Sequence, residues 1–397
     1  MSTAIYALSA DPITYGHIDV IKRALRVFDR IVVGIGNNPA KKYTFSLIER
    51  VRLAESALRG LSVEVLPFEG LLVDFAYSKN IHTVLRGVRN GADFEFEQML
   101  HDINYSQRMG IDTFLVIADQ NLSHVSSSAV KELQAHNAKE ILEYVPMSVK
   151  QALEERVCRQ VRIGVTGEIG AGKSFFSKKY REYFHKRYRP SSAHPRLLGV
   201  IEADMDVIAR GILTSGEDPV CTEVRRKIAN QLCVPYVKNT TDIPTCENPI
   251  NIKALSDKIF SNVGIRKMYD DLMIDPILYF LRKDYLSNRD NIVLIGSALL
   301  VDCNGLPIVN NNVIVVAADK DIRRKRLMQS RGYSEDETNR RMEAQLSTSE
   351  KTCVINECVE TNSHGSMYVV NNNSDDISDQ ELEKVDSWIQ SISHHLA

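Results

Sequence analysis

VRIGVTGEIGAGKS, residues 161–174, decides how the second half of this chain is read. A β-branched, apolar run ends at Thr166, and the pattern G-x-x-x-x-G-K-[ST] begins at Gly167. Strand, glycine-rich turn and helical run, in that order, form the setting in which such a loop cradles phosphate. Gly167, Gly170 and Gly172 let backbone N–H groups wrap an anion, with Ala171 between them. Lys173 reaches the terminal phosphates, and the Ser174 hydroxyl ligates Mg²⁺. The loop points to a nucleoside triphosphate and leaves the acceptor open.

Working outward, the same grammar recurs on both sides. Upstream, short apolar runs at 4–7, 31–35, 63–68, 83–85 and 113–118 alternate with helical spacing at 17–28, 46–58, 93–108, 127–135 and 145–157. Downstream, strands are expected at 199–202, 292–295 and 313–316, with helical patterns at 252–282 and 381–392. Regular alternation predicts parallel sheets covered on both faces, an α/β chain. The programme restarts at Val161, so two domains are expected, 1–157 and 158–397. Stretches 186–196 and 235–249 are rich in Pro, Ser, Thr and Asn and read as surface insertions.

Composition narrows the partners. A formal net charge of −2 offers no global field for nucleic acid or a membrane surface, so anionic substrates need local basic groups. No run approaches ~20 apolar residues, and no basic leader precedes the first strand, so a cytoplasmic location is expected. Seven cysteines without a CxxC pair read as free thiols.

A second candidate site lies between the first strand and the first helix. Asp11-Pro12-Ile13-Thr14-Tyr15-Gly16-His17 places a histidine in the first helical turn, where free N–H groups and the positive dipole end attract phosphate. Alone, the stretch reads more readily, by about two to one, as a capped helix with an ordinary histidine. Three further blocks follow in order: Asn38-Pro39-Ala40-Lys41-Lys42 with Phe45 to Arg50, Leu85-Arg86-Gly87-Val88-Arg89 with Ala92 to Glu97, and Val125-Ser126-Ser127-Ser128-Ala129-Val130-Lys131. With DPITYGH they resemble bacterial-type phosphopantetheine adenylyltransferase, a nucleotidyltransferase with a Rossmann-like fold, over residues 4–157.

That resemblance implies attack of the 4′-phosphate of phosphopantetheine on the α-phosphate of ATP. The nucleophile is already an anion, so positioning and charge neutralisation carry the catalysis. By the same resemblance His17 would stabilise the α-phosphate, while Lys41 and Arg86 hold the acceptor phosphate. Gly87, Val88, Arg89 and Glu97 would contact ATP. Ser123, Ser126, Ser127 and Ser128 would meet phosphate oxygens. Ser9, Ala10 and Leu72 complete the implied binding set. Leu8 and Ala10 depart from the family's G-T-F-D-P. The family also implies self-association as a trimer or hexamer.

The second half resembles dephospho-CoA kinase, a P-loop kinase. Thr166 to Ser174 and Asp204-Met205-Asp206-Val207-Ile208-Ala209-Arg210 carry the likeness, with Arg323 to Arg331, Arg341 to Gln345, Glu350-Lys351 and Val369 to Asn373. It implies transfer of the γ-phosphoryl of ATP to the ribose 3′-hydroxyl of dephospho-CoA. Asp206 would be the base, with Asp204 beside it at the acceptor and Mg²⁺ as metal. Arg331 and Arg341 would neutralise phosphates when a lid closes. Met273-Ile274-Asp275-Pro276 and Gly296 to Asp302 depart from the family pattern. Three alternatives stay open: a kinase-like module that only binds nucleotide and regulates, a structural P-loop partner, and a kinase for another small molecule.

Overall fold

The computed structural model describes residues 2–39, 41–188, 199–237, 248–331, 334–374 and 376–393. Much of the two expected insertions lies outside these. The chain divides into two compact units, Met1–Val157 and Cys158–Ala397.

The first unit holds five strands: β1 (Thr3–Leu8), β2 (Arg30–Gly36), β3 (Val63–Phe68), β4 (Thr83–Val88) and β5 (Asp112–Ile117). All pair in parallel, in the order β3-β2-β1-β4-β5. The chain winds outward from β1 to β3, then crosses back to β4. Strand order therefore reverses between β1 and β4, where doubly wound folds open a ligand crevice at the carboxyl ends. Ile31, Val33 and Ile35 of β2 and Val84 and Leu85 of β4 are fully buried because helices cover both faces. Each such side chain stabilises the fold by roughly 1.5–3 kcal/mol. β5 is an edge strand, and Phe114, Leu115 and Ile117 on it remain exposed.

The second unit repeats the design. β6 (Gln160–Thr166), β7 (Gly199–Asp204), β8 (Asn291–Gly296), β9 (Asn312–Ala317) and β10 (Ser366–Asn371) form a parallel sheet ordered β10-β9-β6-β8-β7. The central β6 is buried along its whole length. It sits between β8 and β9, again where the winding changes direction.

Helix ends follow local chemistry. Ser46 caps Leu47–Ala57: its hydroxyl accepts from the Glu49 N–H at 3.3 Å, and Glu49 accepts from the Ser46 N–H at 2.7 Å. The pattern at 145–157 becomes a shorter helix, Met147–Leu153, followed by a wide turn at Glu154–Cys158. Pro146 at the cap fixes where that helix begins. The pattern at 252–282 splits into Ile252–Ser261 and Val263–Phe280, because Asn262 turns extended and caps Ile265 with its side chain. Helices Leu72–Ser78, Pro219–Gln231, Glu335–Glu343 and Thr348–Asn362 have no counterpart in the periodicity reading.

Among the described residues no helix is long and apolar enough to cross a membrane. Six described cysteines are free thiols. Cys246 lies outside the described residues.

Candidate active sites

At the β1–β4 crossover a cavity of about 230 Å³ is lined by Leu8, Thr14, His17, Arg86, Arg89 and Ser127, among others. His17 stands in the first turn of helix Tyr15–Ala24. Its Nδ1 accepts the Thr14 backbone N–H at 3.0 Å, so the neutral ring carries its proton on Nε2. Burial, with the Arg89 charge adding, pushes its pKa down to about 4. The histidine is therefore a neutral hydrogen-bond donor at physiological pH.

The charge around it comes from β4 and the helix that follows. Arg86 pairs with Glu97 at 2.9 Å, and Arg89 pairs with Asp93 at 2.9 Å. Burial raises the Glu97 pKa against the pull of Arg86. The other wall is the start of helix Ser127–Ala135, where Ser126 caps the Ala129 N–H at 3.1 Å. The Ser127 hydroxyl donates to the Pro12 carbonyl at 2.8 Å and ties this helix to the β1 loop.

Gly87, Arg89, Glu97, Ser126 and Ser127 line the cavity with His17 and Arg86. Other expected positions lie elsewhere. Ala10 is buried at φ 45°, and the Ser9 carbonyl accepts from buried Arg50; neither lines the cavity. Val88 is spent in the sheet, its carbonyl accepting the Ala118 N–H. Lys41, Ser123 and Ser128 are exposed, and Leu72 starts a helix after β3. None of these four lines the cavity.

Two residues that the sequence did not single out organise this rim. Asp11 accepts from Lys131 Nζ at 2.8 Å and from the Thr44 and Phe45 amides at 3.0 and 2.9 Å. Burial would raise its pKa, but Lys131 and the two amides outweigh that and hold it below the usual carboxylate value. One carboxylate thus joins the β1 loop, the 37–46 connection and helix Ser127–Ala135. The signal was present in the DPIT and VSSSAVK blocks, though only the fold brings Asp11 and Lys131 together.

In the second unit a cavity of about 900 Å³ opens at the end of β6. Gly172 takes φ 93°, and a Cβ there would fall 2.2 Å from Asn372 Nδ2. Gly167 takes φ 148°, and a Cβ would fall 2.2 Å from the Val316 carbonyl oxygen. Gly170 takes φ 82°, and a Cβ would fall 2.9 Å from the Arg323 carbonyl oxygen, so all three loop glycines are required by backbone conformation and by space. Asn372 donates to the buried Ala171 carbonyl at 2.7 Å, and Arg326 donates to the Asn372 carbonyl at 3.0 Å. Lys173 Nζ lies 3.2 Å from the Gly167 carbonyl.

Facing the loop, β7 ends at Asp204, which caps helix Met205–Thr214 by accepting from the Asp206 and Val207 amides at 2.9 and 3.2 Å. Its other oxygen accepts from the Ser174 hydroxyl at 3.3 Å. Asp206 lines the cavity. Protein packed around it raises its pKa; Lys173 opposes the rise and Asp204 adds to it. Gly170, Gly172, Lys173, Ser174, Asp204 and Asp206 all line this space. Arg210 and Arg326, which the sequence did not assign a role, line it too. Arg341 instead pairs with Glu337 at 3.0 Å and is not among the lining side chains. The Arg331 side chain lies outside the described residues.

Comparison with known proteins gives one family match within each unit. Residues 6–133 match the cytidylyltransferase-like family model. Residues 161–366, just over half of the chain, match the dephospho-CoA kinase model. Over 155 residues the chain is 41% identical to the phosphopantetheine adenylyltransferase of Vesicomyosocius okutanii subsp. Calyptogena okutanii, covering 39% of this chain and 98% of that protein. The Leuconostoc mesenteroides protein of that name is 37% identical over 161 residues, covering 40% of this chain and 99% of its own length. The one from Petrotoga mobilis is 35% identical over 158 residues, covering 40% of this chain and 97% of its own length.

Proposed function

The chain belongs to the phosphopantetheine adenylyltransferase family through its first unit and to the dephospho-CoA kinase family through its second, and on that premise we propose that it makes coenzyme A in two steps. The first transfers adenylyl from ATP to 4′-phosphopantetheine, giving dephospho-CoA and pyrophosphate. The second phosphorylates the ribose 3′-hydroxyl of dephospho-CoA with another ATP. The observation that supports this reading is that each unit opens a cavity at its sheet's crossover, and the two cavities are lined by different hydrogen-bond donors.

In the first site the His17 Nε2–H donates to an oxygen of the α-phosphate as charge builds there. A neutral donor suits this role, because it holds its proton throughout the transfer. Arg86 and Lys41 hold the attacking phosphate. Arg86 exchanges its Glu97 partner for the substrate, and Lys41 swings in from the exposed connection. Gly87, Arg89 and Glu97 hold ATP from the cavity wall, with Ser126 and Ser127 at phosphate oxygens; Val88, Ser123 and Ser128 stand outside the cavity and would reach the nucleotide only after local rearrangement. Ser9, Ala10 and Leu72 lie outside this cavity and would extend the binding set only along the rest of the substrate.

In the second site the loop amides and Lys173 hold the β- and γ-phosphates. Asp206 accepts the proton of the 3′-hydroxyl, with Asp204 beside it at the acceptor. Arg331 and Arg341 neutralise the phosphates as their helices close over them. The Ser174 hydroxyl and the Asp204 carboxylate present two hard oxygens 3.3 Å apart at the mouth of the loop. Among the described residues no three acidic, histidine or cysteine side chains form a metal cage. Two protein oxygens completed by waters and phosphates suit Mg²⁺, which keeps much of its hydration. When bound it neutralises the β- and γ-phosphate oxygens.

Exposed Ile103 and Tyr105 beside the exposed β5 edge support self-association of the first unit, as a trimer or hexamer. The test of function is direct. The full chain, incubated with phosphopantetheine, ATP and Mg²⁺ and followed by mass spectrometry, should give dephospho-CoA and then CoA. Arrest at dephospho-CoA would sink the kinase half of the reading; absence of both products would sink all of it.

A further inference from the structure

One short segment, residues 345–351, touches both the phosphate loop and the stretch after β8 that holds Asp206. At its start Gln345 Oε1 accepts the Ile169 N–H of the phosphate loop at 3.0 Å. Thr348 donates its N–H and its hydroxyl to Glu168 Oε2 at 3.2 and 2.7 Å. The other Glu168 oxygen pairs with buried Arg323 at 2.8 Å. The loop is thus pinned from outside by two consecutive residues, Glu168 and Ile169.

The segment's end lies against the stretch after β8. Lys351 is 0% exposed. Its Nζ donates to the Ala298 carbonyl at 2.9 Å and pairs with the Asp302 carboxylate. The second Asp302 oxygen accepts the Leu346 N–H at 3.3 Å, which returns the contact to the segment. Ala298 and its neighbour Ser297 in turn hold Asp206: the Ala298 N–H donates to it, and the Ser297 hydroxyl does so at 3.3 Å. Ser297 is itself fixed by accepting the Leu299 N–H at 3.1 Å.

A lysine buried this completely is costly to desolvate, and an apolar pair of similar volume would often stabilise the fold as well. Its directed bonds to Ala298 and Asp302 do what apolar packing cannot, since they fix where the 297–298 turn stands. This turn belongs to the stretch in which the sequence departs from the kinase pattern, so the departure supplies a hydroxyl to Asp206. In the sequence, Lys351 is part of the Glu350-Lys351 pair that carries the kinase likeness. Here it is an anchor.

We propose that residues 345–351 are a clasp that sets the spacing between the phosphate loop and Asp206. Lys351 and Ser297 are positioning residues for the carboxylate, and Gln345 and Thr348 for the loop. This rests on the kinase reading of the second unit.

The test measures phosphorylation of added dephospho-CoA by the full chain, separating kcat from KM, with adenylyl transfer and thermal unfolding as controls. Lys351→Met alone would strand the buried Asp302 charge, so it is combined with Asp302→Leu. The double variant should stay folded and keep its adenylyl transfer and its KM for ATP within about twofold. Its kcat for phosphorylation should fall on the order of 10- to 100-fold, as expected when reacting groups shift by an ångström or less. Ser297→Ala should show the same split more weakly, and Ser297→Thr should recover most of it. Should the double variant fail to fold, the Ser297 pair decides alone. A folded double variant, or Ser297→Ala, with kcat unchanged would overturn the clasp. So would a loss in Ser297→Ala that Ser297→Thr does not recover. If the unaltered chain makes dephospho-CoA but never phosphorylates it, the kinase reading falls and the clasp with it.

Discussion

The two cavities occupy the same topological address and solve different electrostatic problems. In the first, the end of β1 leads to a neutral histidine backed by arginines, and the space is about 230 Å³. In the second, the end of β6 leads to a loop of backbone amides with a lysine, and the space is about 900 Å³. A doubly wound sheet supplies the crevice and the helix N-termini; the few residues that follow the central strand decide which phosphorus is addressed. An α-phosphate under attack by another phosphate needs donors that neutralise crowding without taking a proton. A γ-phosphate moving to a neutral hydroxyl needs an enveloping cradle and a proton acceptor.

If the two sites are independent, a change in one should spare the other. The largest effect is expected for Lys173→Ala, which should lower phosphorylation of dephospho-CoA by roughly 10³-fold. Adenylyl transfer in the same preparation should be unchanged, as measured in separate half-reactions. His17→Ala should do the converse, lowering adenylyl transfer on the order of 10²- to 10³-fold while added dephospho-CoA is still phosphorylated. A variant that damages both half-reactions equally would show that the cradles are not separate.

The protonation of His17 sharpens the comparison further. Its folded pKa of about 4 lies below the unfolded value near 6.5. The unfolded chain therefore takes up the proton first as pH falls. Stability from the neutral ring is complete above about pH 6.5 and is lost as pH drops toward about 4. NMR of the ring nitrogens should show a neutral Nε2–H tautomer at pH 6, and His17→Asn should flatten the acid-side loss of first-unit stability. A ring titrating near 6.5 would contradict the neutral-donor role. The smallest effect is structural: Ser46→Ala removes the capping hydroxyl and should cost the first unit about 1 kcal/mol in denaturant unfolding. Both half-reactions should be untouched at 25 °C.

The parallel α/β architecture was legible because its signals are local. The glycines of the phosphate loop announce backbone conformations that other residues resist, and Ser46 with Glu49 announces a helix start. The break at Asn262 was hidden by apolar spacing that continues through it, although an Asn cap can be found in the sequence once sought. Helix Pro219–Gln231 escaped because its periodicity is interrupted by Arg225, which is buried and donates to the Ile212 and Gly216 carbonyls. Within the sites, residues next to strand ends could be nominated from order along the chain. Pairings over long separations could not: Asp11 with Lys131, Glu168 with Thr348, and Lys351 with Ala298 depend on folding. Charged residues in those pairs look like ordinary surface positions until the sheet brings their partners beneath them.

In making CoA, one chain would use two ATP molecules at different phosphorus atoms. Feeding the full chain phosphopantetheine with ATP labelled either at the α- or at the γ-phosphorus tests it most directly. The α-label should appear in the diphosphate bridge of CoA and the γ-label on its ribose 3′-phosphate. CoA that carries no γ-label, or α-label found only in free nucleotide, would contradict it.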